Sequence, residues 1–331
     1  MRRALVIGID NYKDHELHGC VNDARSMAEV LECHGDGEPN FTVKLLTVPL
    51  PDSKGARDNE DVLDGLTHSD VDGEIEALFA DDPEIALLYF SGHGSVSSLG
   101  GAVATTDFQA RNVGMPMDDI LNYANHSKAK DKVILLDCCH SGAFGSPTID
   151  GGDEKNVCRL SSGLTVLTAS RDTQTAEENN GRGVFTSLLV DALKGGAADL
   201  RGQVTSGSIY AYVDQALGPW DQRPIFKTNV SHSSALRMVT APVPHATLRK
   251  LLVFFPDPEG EHQLTPECEF THASAQPEKI AIFKDLQKMA GVGLVVPVGE
   301  EHMYFAAINS KSCKLTAMGR QYWRLAREKR L

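Results

Sequence analysis

The sequence lacks any apolar run long enough to cross a membrane. A membrane-spanning helix needs about 18 or more consecutive apolar residues, and no segment of the 331 residues approaches that length. Asp10 interrupts the N-terminal apolar run too early for the apolar core of a secretory signal peptide. We therefore expect a cytoplasmic protein that makes no membrane contacts.

Cysteine pairs are also missing. The seven cysteines form an odd number, and no two of them have the spacing C-x-x-C. This pattern argues against a disulfide scaffold and against a structural zinc site. It is typical of a protein in a reducing compartment.

Basic residues are scarce relative to acidic ones. The chain has 32 Lys and Arg against 45 Asp and Glu, a formal net charge of −13. The imbalance lies in residues 1–245, which hold 35 acidic and 20 basic side chains, whereas residues 246–331 hold 10 and 12. The first part should repel nucleic acid and accept cationic ligands or peptides, so nucleic acid is not expected as a partner.

Short apolar runs alternate with longer amphipathic stretches through the first 230 residues. Strands are predicted at residues 4–9, 42–48, 85–90, 132–137, 164–169 and 224–226. Helices are predicted at residues 22–33, 72–80, 117–124 and 183–193. The alternation predicts an α/β fold in which a mostly parallel sheet is flanked by helices on both faces. In such sheets, ligands bind beyond the carboxyl ends of the strands.

The character of the sequence changes near residue 240, where prolines punctuate a short linker. We place a first domain at residues 1–239 and a second, small α+β domain at residues 240–331. The second domain is predicted to contain a strand at 248–255, a loop at 256–266, a helix at 277–290, a hairpin of 293–298 with 302–308, and a basic helix at 316–329.

This order of elements resembles the recognition helix, wing and following helix of winged-helix domains. The last 22 residues contain seven basic side chains and one acidic side chain, which is compatible with nucleic-acid binding. The nearly neutral charge of the whole segment instead favours a module that packs against the first domain or a partner. Both interpretations remain open.

Two predicted strand ends have residues that can do covalent chemistry. Tyr-Phe-Ser-Gly-His-Gly lies at 89–94, and Asp-Cys-Cys-His-Ser-Gly lies at 137–142. A histidine beside a cysteine stabilises the thiolate, which is the nucleophilic form. Neighbouring backbone N–H groups can bind the oxyanion of an attacked carbonyl. Because adjacent parallel strands lie about 4.8 Å apart, the two ends predict a Cys–His dyad in one crevice.

The two segments resemble the histidine and cysteine motifs of the caspase–metacaspase clan of cysteine endopeptidases. Residues 4–12, 19–24, 168–171 and 185–186 are similar to the clan as well. The resemblance covers about residues 3–228. It implies a caspase–hemoglobinase fold and a bacterial caspase-like or metacaspase-like protease.

The resemblance implies roles for the residues of both motifs. His93 would be the base and Cys139 the nucleophile, because the family's nucleophile immediately precedes His-Ser-Gly. Cys138 would be a strand-end spacer, and the oxyanion donors would be the backbone N–H groups of Gly94 and Cys139. His140 is a rival base, but adjacent residues of an extended chain point in opposite directions.

The resemblance also implies a pocket, S1, for a basic residue on the N-terminal side of the scissile bond, called P1. Asp23 and Asp137 would form its acidic floor, with Cys20 and Ser91 on the walls. A guanidinium between two carboxylates makes strong charge-assisted hydrogen bonds, so proteins or peptides with Arg or Lys at P1 are the expected substrates. Structural roles remain the alternative: Asp137 as an acceptor at a strand end and Asp23 as a helix-start residue.

Many metacaspases bind calcium through a cluster of aspartates. Asp107, Asp118 and Asp119 resemble three of those ligands, but Ser146 stands where a fourth is expected. Calcium prefers six to eight oxygen ligands, so this depleted cluster should bind it weakly. Asp118 and Asp119 equally suit a helix N-terminus. We expect no required cofactor and, at most, modest activation by calcium.

Self-cleavage in the family often occurs in the loop that follows the nucleophile. Here that loop spans residues 145–163 and contains Lys155 and Arg159, while Arg182 is a second candidate further on. A plain solvated loop is the alternative interpretation.

The sequence therefore predicts a cysteine endopeptidase that cleaves after Arg or Lys and is gated by its C-terminal domain. Related bacterial proteases often have such appended sensor domains, and some serve antiviral defence by responding to a nucleotide messenger. The resemblance thus suggests a small anionic nucleotide or a regulatory protein as activator. One alternative is a catalytically silent scaffold, which has no use for an intact dyad and two S1 carboxylates. The other is a nucleic-acid-binding regulator that acts through residues 246–331, which retention on heparin or DNA would test.

Overall fold

The computed structural model of the protein describes residues 1–51, 53, 55–97, 100–109, 114–138, 160–169, 183–217, 224–231 and 234–331. The contacts divide the chain into two compact units. Unit 1 consists of Met1–Ala198 and Gln203–Val239, and unit 2 consists of Asp199–Gly202 and Thr240–Leu331. The sequence places all of the second domain after residue 239, whereas the contacts add residues 199–202 to unit 2.

Unit 1 contains alternating strands and helices. Its strands are β1 (Arg2–Ile9), β2 (Thr42–Val48), β3 (Glu60–Val62), β4 (Ile85–Ser91), β5 (Gly94–Ser97), β6 (Gly100–Val103), β7 (Met115–Pro116), β8 (Asp131–Asp137), β9 (Leu164–Thr168), β10 (Gln203–Val204), β11 (Ile225–Asn229) and β12 (Arg237–Met238). Its helices are α1 (Cys20–Glu32), α2 (His68–Phe79), α3 (Met117–His126), α4 (Val184–Asp191), which continues into a π-helical turn at Ala192–Gly196, and α5 (Ser206–Ala216).

The main sheet of unit 1 has the strand order β11-β9-β8-β4-β1-β2-β3 within the described residues. Every neighbouring pair is parallel except β11 and β9. The predicted mostly parallel sheet is therefore confirmed, and each of the six predicted strands corresponds to one of its strands. The four predicted helices correspond to α1–α4. Helix α5 and the small antiparallel sheet of β5, β6 and β7 were not predicted.

The main sheet is buried on both faces. Every residue of the central strands β4 and β8 is buried, as their continuous apolar runs predict. Successive side chains of a strand point to opposite faces. One face packs against α2 and α3, and the other packs against α1, α4 and α5.

Unit 2 has an apolar core of its own and an antiparallel sheet with the order β13-β15-β14. Its elements are α6 (His245–Arg249), α7 (Leu251–Phe254), β13 (Glu261–Gln263), a 3₁₀ turn (Pro266–Cys268), α8 (Pro277–Gly291), β14 (Val295–Val298), α9 (Met303–Ile308), β15 (Ser312–Leu315) and α10 (Ala317–Arg327). Helices α8 and α10 confirm the two helices predicted for this region.

Two strands predicted for unit 2 are wrong. Residues 248–255 form a helical segment, in which Leu248, Leu251 and Phe255 are buried and Val253 is exposed. Residues 302–308 contain α9, which again buries residues at helical spacing. In both places the apolar spacing of three and four residues outweighs the β-branched and aromatic composition. The strand that pairs with β14 is β15, so the predicted hairpin of residues 293–298 with 302–308 is wrong. Helix α9 lies in the connection between β14 and β15.

Every helix in the described part of the chain is too short or too polar to span a lipid bilayer.

Candidate active site

Three residues lie side by side at the carboxyl ends of the central strands. Gly8 of β1 is in register with Ser91 of β4, which is in register with Asp137 of β8. A Cβ atom on Gly8 would lie 2.5 Å from the carbonyl oxygen of Cys20 and 2.6 Å from Cβ of Ala24. Only glycine therefore allows the first turn of α1 to lie directly against the sheet beside Ser91 and Asp137.

A carboxylate directly after β1 caps helix α1. The residue before the helix is Gly19, which has no side chain to act as a cap. The buried Asp10 instead accepts hydrogen bonds from the N–H groups of Cys20, at 2.8 Å, and Val21, at 3.3 Å. A carboxylate at this position is favoured by the helix dipole. This capping role was not predicted, because Asp10 is ten residues before the helix and so has no local capping signal.

Asp10, Asp23 and Asp137 form what we call the acidic cluster. All three are buried, with at most 6% of the residue exposed, and all three are close enough for their charges to act on the thiol of Cys20. Burial raises the pKa of that thiol well above its usual range; the hydrogen bond with Ser91 opposes the shift, and the nearby carboxylates add to it. Cys20 therefore stays a neutral thiol, which suits a pocket wall and not a nucleophile.

The start of helix α4 contacts two members of the acidic cluster. The N–H of Gly183 donates to both carboxylate oxygens of Asp23, at 3.0 and 3.2 Å. The hydroxyl of Thr186 donates to Oδ2 of Asp137 at 2.7 Å, and the hydroxyl of Tyr89 lies 2.6 Å from that of Thr186. Both aspartates thus accept hydrogen bonds from the fold while lying beside Cys20.

His93 lies in the turn that follows β4. A Cβ atom on the preceding Gly92 would lie 2.4 Å from the hydroxyl of Tyr12 and 2.9 Å from Cζ of Phe90, so no side chain fits there. The N–H of His93 donates to the Tyr12 hydroxyl at 3.1 Å, and that hydroxyl donates to the carbonyl of Ala104 at 3.1 Å. The rings of Tyr12 and His93 are 4.7 Å apart. Tyr12 therefore holds both the backbone and the ring of His93.

One ring nitrogen of His93 is bonded to the backbone. Nε2 lies 2.9 Å from the carbonyl oxygen of His15, and because a carbonyl only accepts, Nε2 bears the hydrogen. In the neutral ring Nδ1 then has the lone pair and is the nitrogen able to act as a base.

The residue before His15 is Asp14, whose φ of 63° lies in the left-handed region that costs energy for a non-glycine residue.

A cavity of about 590 Å³ opens beside His93. Its volume lies in the usual range for ligand sites. The described residues that line it are Tyr12, Lys13, Asp14, His15, His93, Gly94, Ser95, Ala104, Thr105, Thr106, Phe108 and Gln109. His93 thus faces an open site, whereas no member of the acidic cluster is among these residues.

The structure describes only part of the predicted dyad. Cys138 is buried, with 2% exposed, in the core on the α2 and α3 face of the sheet. Gly94 begins β5 and pairs with Val103 of β6. The remaining predicted residues lie outside the described residues: Cys139, His140, Ser146, Lys155, Arg159 and Arg182.

The three predicted calcium ligands do not form a cluster in the described part of the chain. Asp107 accepts hydrogen bonds from the hydroxyl of Thr105, at 2.6 Å, and from the N–H of His68, at 3.1 Å, at the start of α2. Asp118 and Asp119 are exposed on the first turn of α3. Among the described residues, no group of three or more His, Cys, Asp or Glu side chains could hold a metal ion.

Comparisons with known proteins place the chain in a family. The family model for the caspase domain, Peptidase C14, matches residues 1–250. Among solved structures, the crystal structure of caspase-1 from Spodoptera frugiperda is similar, with a TM-score of 0.47 and 14% identity over 72% of this chain and 90% of that chain. No curated protein sequence matches the chain significantly. The match of the family model to most of the chain shows that this protein belongs to the caspase domain family, Peptidase C14.

Proposed function

We propose that the chain is a cysteine endopeptidase that cleaves peptide bonds after Arg or Lys. Membership of a cysteine peptidase family supports the class of reaction. The observation that supports the basic P1 residue is the acidic cluster, three buried carboxylates gathered around the neutral thiol of Cys20. Buried carboxylates at a strand end are suited to a cation, and they would repel an acidic side chain.

In the proposed mechanism, His93 and Cys139 act as a dyad. Nδ1 of His93 accepts the thiol proton, and the thiolate of Cys139 attacks the carbonyl carbon of the P1 residue. The backbone N–H groups of Gly94 and Cys139 stabilise the oxyanion. Collapse of the intermediate breaks the C–N bond, and His93 returns the proton to the leaving amine. Water, deprotonated by His93, then hydrolyses the thioester and restores the thiol.

The S1 pocket is proposed to consist of Asp23 and Asp137 with Cys20 and Ser91. Hydrogen bonds to a charged group in a desolvated site contribute about 1.5–3 kcal/mol each, so a guanidinium that reaches both carboxylates would bind strongly. Calcium has no step in this mechanism.

Unit 2 is proposed to regulate the peptidase. All dyad and S1 candidates belong to unit 1, whereas unit 2 has a separate core. Its mildly basic, winged-helix-like sequence suits an anionic signal, such as the nucleotide messenger of an antiviral defence system, or a regulatory protein. Self-cleavage at Lys155, Arg159 or Arg182 belongs to the same proposal, as does action in the cytoplasm.

The test is a panel of fluorogenic peptides that end in Arg, Lys or Asp, assayed with the full chain, with and without calcium or nucleotides. The proposal expects cleavage after Arg and Lys only. The matched control is Cys139→Ala, purified in parallel, which should be inactive. Preferential cleavage after Asp, or activity retained by Cys139→Ala, would contradict the proposal.

A further inference from the structure

The first turn of helix α4 makes separate contacts with the two carboxylates proposed for the S1 pocket. Gly183, directly before the helix, bonds to Asp23, which is 160 residues earlier in the sequence. Thr186, in the first turn, bonds to Asp137, which is 49 residues earlier. A change at Thr186 can therefore alter the contact to Asp137 while the backbone contact to Asp23 remains.

The hydroxyl groups near Asp137 form a chain with a defined direction. A carboxylate only accepts, so the single hydrogen of the Thr186 hydroxyl points to Asp137. The hydroxyl of Tyr89 must then donate to Thr186, since Thr186 has no second hydrogen to offer. Both residues are almost completely buried, with 0% of Tyr89 and 1% of Thr186 exposed, so water does not compete for these bonds.

The chemistry of Tyr89 agrees with this direction. Burial raises the pKa of its phenol well above the usual range, and the charges of Asp23 and Asp137 add to the shift. The hydrogen bonds with Thr186 and Ser91 oppose that shift. The phenol therefore remains protonated and can donate to Thr186. The hydrogen bonds from Tyr89 to Thr186 and from Thr186 to Asp137 therefore hold the Asp137 carboxylate in one orientation.

We propose that Thr186 and Tyr89 are positioning residues that orient the Asp137 carboxylate for the cationic P1 side chain. This inference rests on the proposed function, in which Asp137 belongs to the S1 pocket. Guanidinium and carboxylate groups bind best in a planar, two-bond arrangement, which demands a defined carboxylate plane. The β-branched Thr186 has few side-chain rotamers, so its donor is already directed before substrate binds.

The decisive variant is Thr186→Val, which keeps the shape and removes the donor. Thr186→Ser keeps a hydroxyl and is the conservative rescue. Thr165→Val is the matched control, because the buried Thr165 hydroxyl bonds to Thr228 at 2.9 Å in the same sheet, away from Asp137. Tyr89→Phe removes the donor to Thr186, together with the hydrogen bond between Tyr89 and Ser91, and it is the second variant to measure if Thr186→Val does not fold.

Two readouts are measured on the full chain. The first is kcat/KM for paired peptides with P1 arginine or citrulline, its neutral isostere. The second is the Kd of benzamidine, a small amidinium probe, measured by calorimetry without turnover. Loss of a hydrogen bond to a charged group predicts about a tenfold fall in the arginine-to-citrulline ratio for Thr186→Val, through KM, and similarly weakened benzamidine binding. Thr186→Ser and Thr165→Val should keep both values, and Tyr89→Phe should show a smaller loss.

The outcomes separate this inference from the proposed function. If the unmutated chain cleaves neither peptide, the proposed peptidase is wrong, and benzamidine binding still decides the role of Thr186. Unchanged benzamidine binding and unchanged discrimination in Thr186→Val would overturn the inference. An equal loss of kcat/KM on the arginine and citrulline peptides would also overturn it, since that pattern marks a purely structural role. Failure of the unmutated chain to bind benzamidine would overturn it as well.

Discussion

Unit 1 and unit 2 differ in the polar groups that they bury. In the described part of unit 1, the buried polar residues include the three carboxylates of the acidic cluster. In unit 2, which the structure describes throughout, the buried polar residues are Thr247, Glu269 and Ser312. Neighbouring buried carboxylates repel one another and lose hydration, so the acidic cluster opposes folding. The comparison teaches that unit 2 buries few polar groups, whereas unit 1 retains buried carboxylates, two of which we propose to bind the cationic P1 side chain.

The thiols whose pKa is shifted are alike in the two units. In unit 2, burial raises the pKa of Cys313 to about 12, and in unit 1 burial also raises the pKa of Cys20, so both are unreactive side chains. The nucleophile that we propose for unit 1 is Cys139, two residues after the end of β8 and next to a second histidine.

The largest effect is expected from the dyad. Cys139→Ala and His93→Ala should each lower kcat/KM by a factor on the order of 10⁴ or more, because the two groups act as one unit. Cys138→Ala should keep much of the activity, since Cys138 is buried in the core. The measurement is peptide hydrolysis by the three variants at matched thermal stability. An inactive Cys138→Ala beside an active Cys139→Ala would show that the nucleophile is misassigned.

The next largest effect concerns the acidic cluster. Asp137→Asn or Asp23→Asn should lower kcat/KM on arginine peptides. The expected loss of transition-state stabilisation is about 2–5 kcal/mol. The melting temperature should stay level or rise, because the substitution removes repulsion between buried charges. Glu269→Gln in unit 2 is the matched control and should leave arginine cleavage unchanged. If Glu269→Gln lowered kcat/KM on arginine peptides as much as the two unit 1 variants do, buried carboxylates of unit 1 and unit 2 would not differ in function.

How far the sequence predicts the structure also differs between the units. The central strands of unit 1 contain runs of consecutive apolar residues, six in β4 and four in β8, and their bounds were found closely. In unit 2, the apolar stretches at 248–255 and 302–308 are short and rich in aromatic residues. Their helical spacing is present in the sequence, but the prediction relied on the composition of these stretches and so assigned strands.

The candidate site was predictable only where residues belong to a recognisable motif. His93, Asp23 and Asp137 were named in advance, and the structure brings Asp23 and Asp137 together beside Cys20. The hydrogen bond of Thr186 to Asp137 joins residues 49 positions apart, so no local pattern reveals it. The hydroxyl of Tyr12 was likewise missed, since its partner His93 is 81 positions away.

A smaller effect is expected from Tyr12→Phe. The change leaves the N–H of His93 and the carbonyl of Ala104 without their partner, at a cost of about 1–3 kcal/mol in the free energy of unfolding. Because the base is less well held, kcat should fall for arginine and citrulline peptides by the same factor. Steady-state kinetics on both peptides checks this. A selective loss on arginine would mean that Tyr12 belongs to the S1 pocket instead.

A still smaller effect on cleavage is expected from unit 2. The indole N–H of Trp323 donates to the carbonyl of Phe255 at 2.7 Å in the core, so Trp323→Phe should destabilise unit 2 by about 1–3 kcal/mol. If unit 2 regulates the peptidase, the basal rate should change while the P1 preference stays the same. Thermal melts and peptide kinetics of the full chain measure both. Identical basal rates and identical responses to activators, despite a lower melting temperature, would show that unit 2 does not regulate.

The smallest effect is expected from removing calcium. Asp107 already accepts hydrogen bonds at the start of α2, and Asp118 and Asp119 are exposed on α3, so chelation with EGTA should leave most of the activity. Rates before and after chelation, followed by calcium addition, test this. A complete loss that calcium reverses would point to ligands beyond these three, with Asp150 and Asp153 the first to substitute.

The central claim is that Asp23 and Asp137 of the acidic cluster select a positively charged P1 residue. The most direct test compares kcat/KM of the unmutated full chain for two peptides that differ only in arginine or citrulline at P1. The account predicts that arginine is preferred by about two orders of magnitude or more, as two charge-assisted hydrogen bonds in a buried pocket imply. Equal turnover of the two peptides would contradict it.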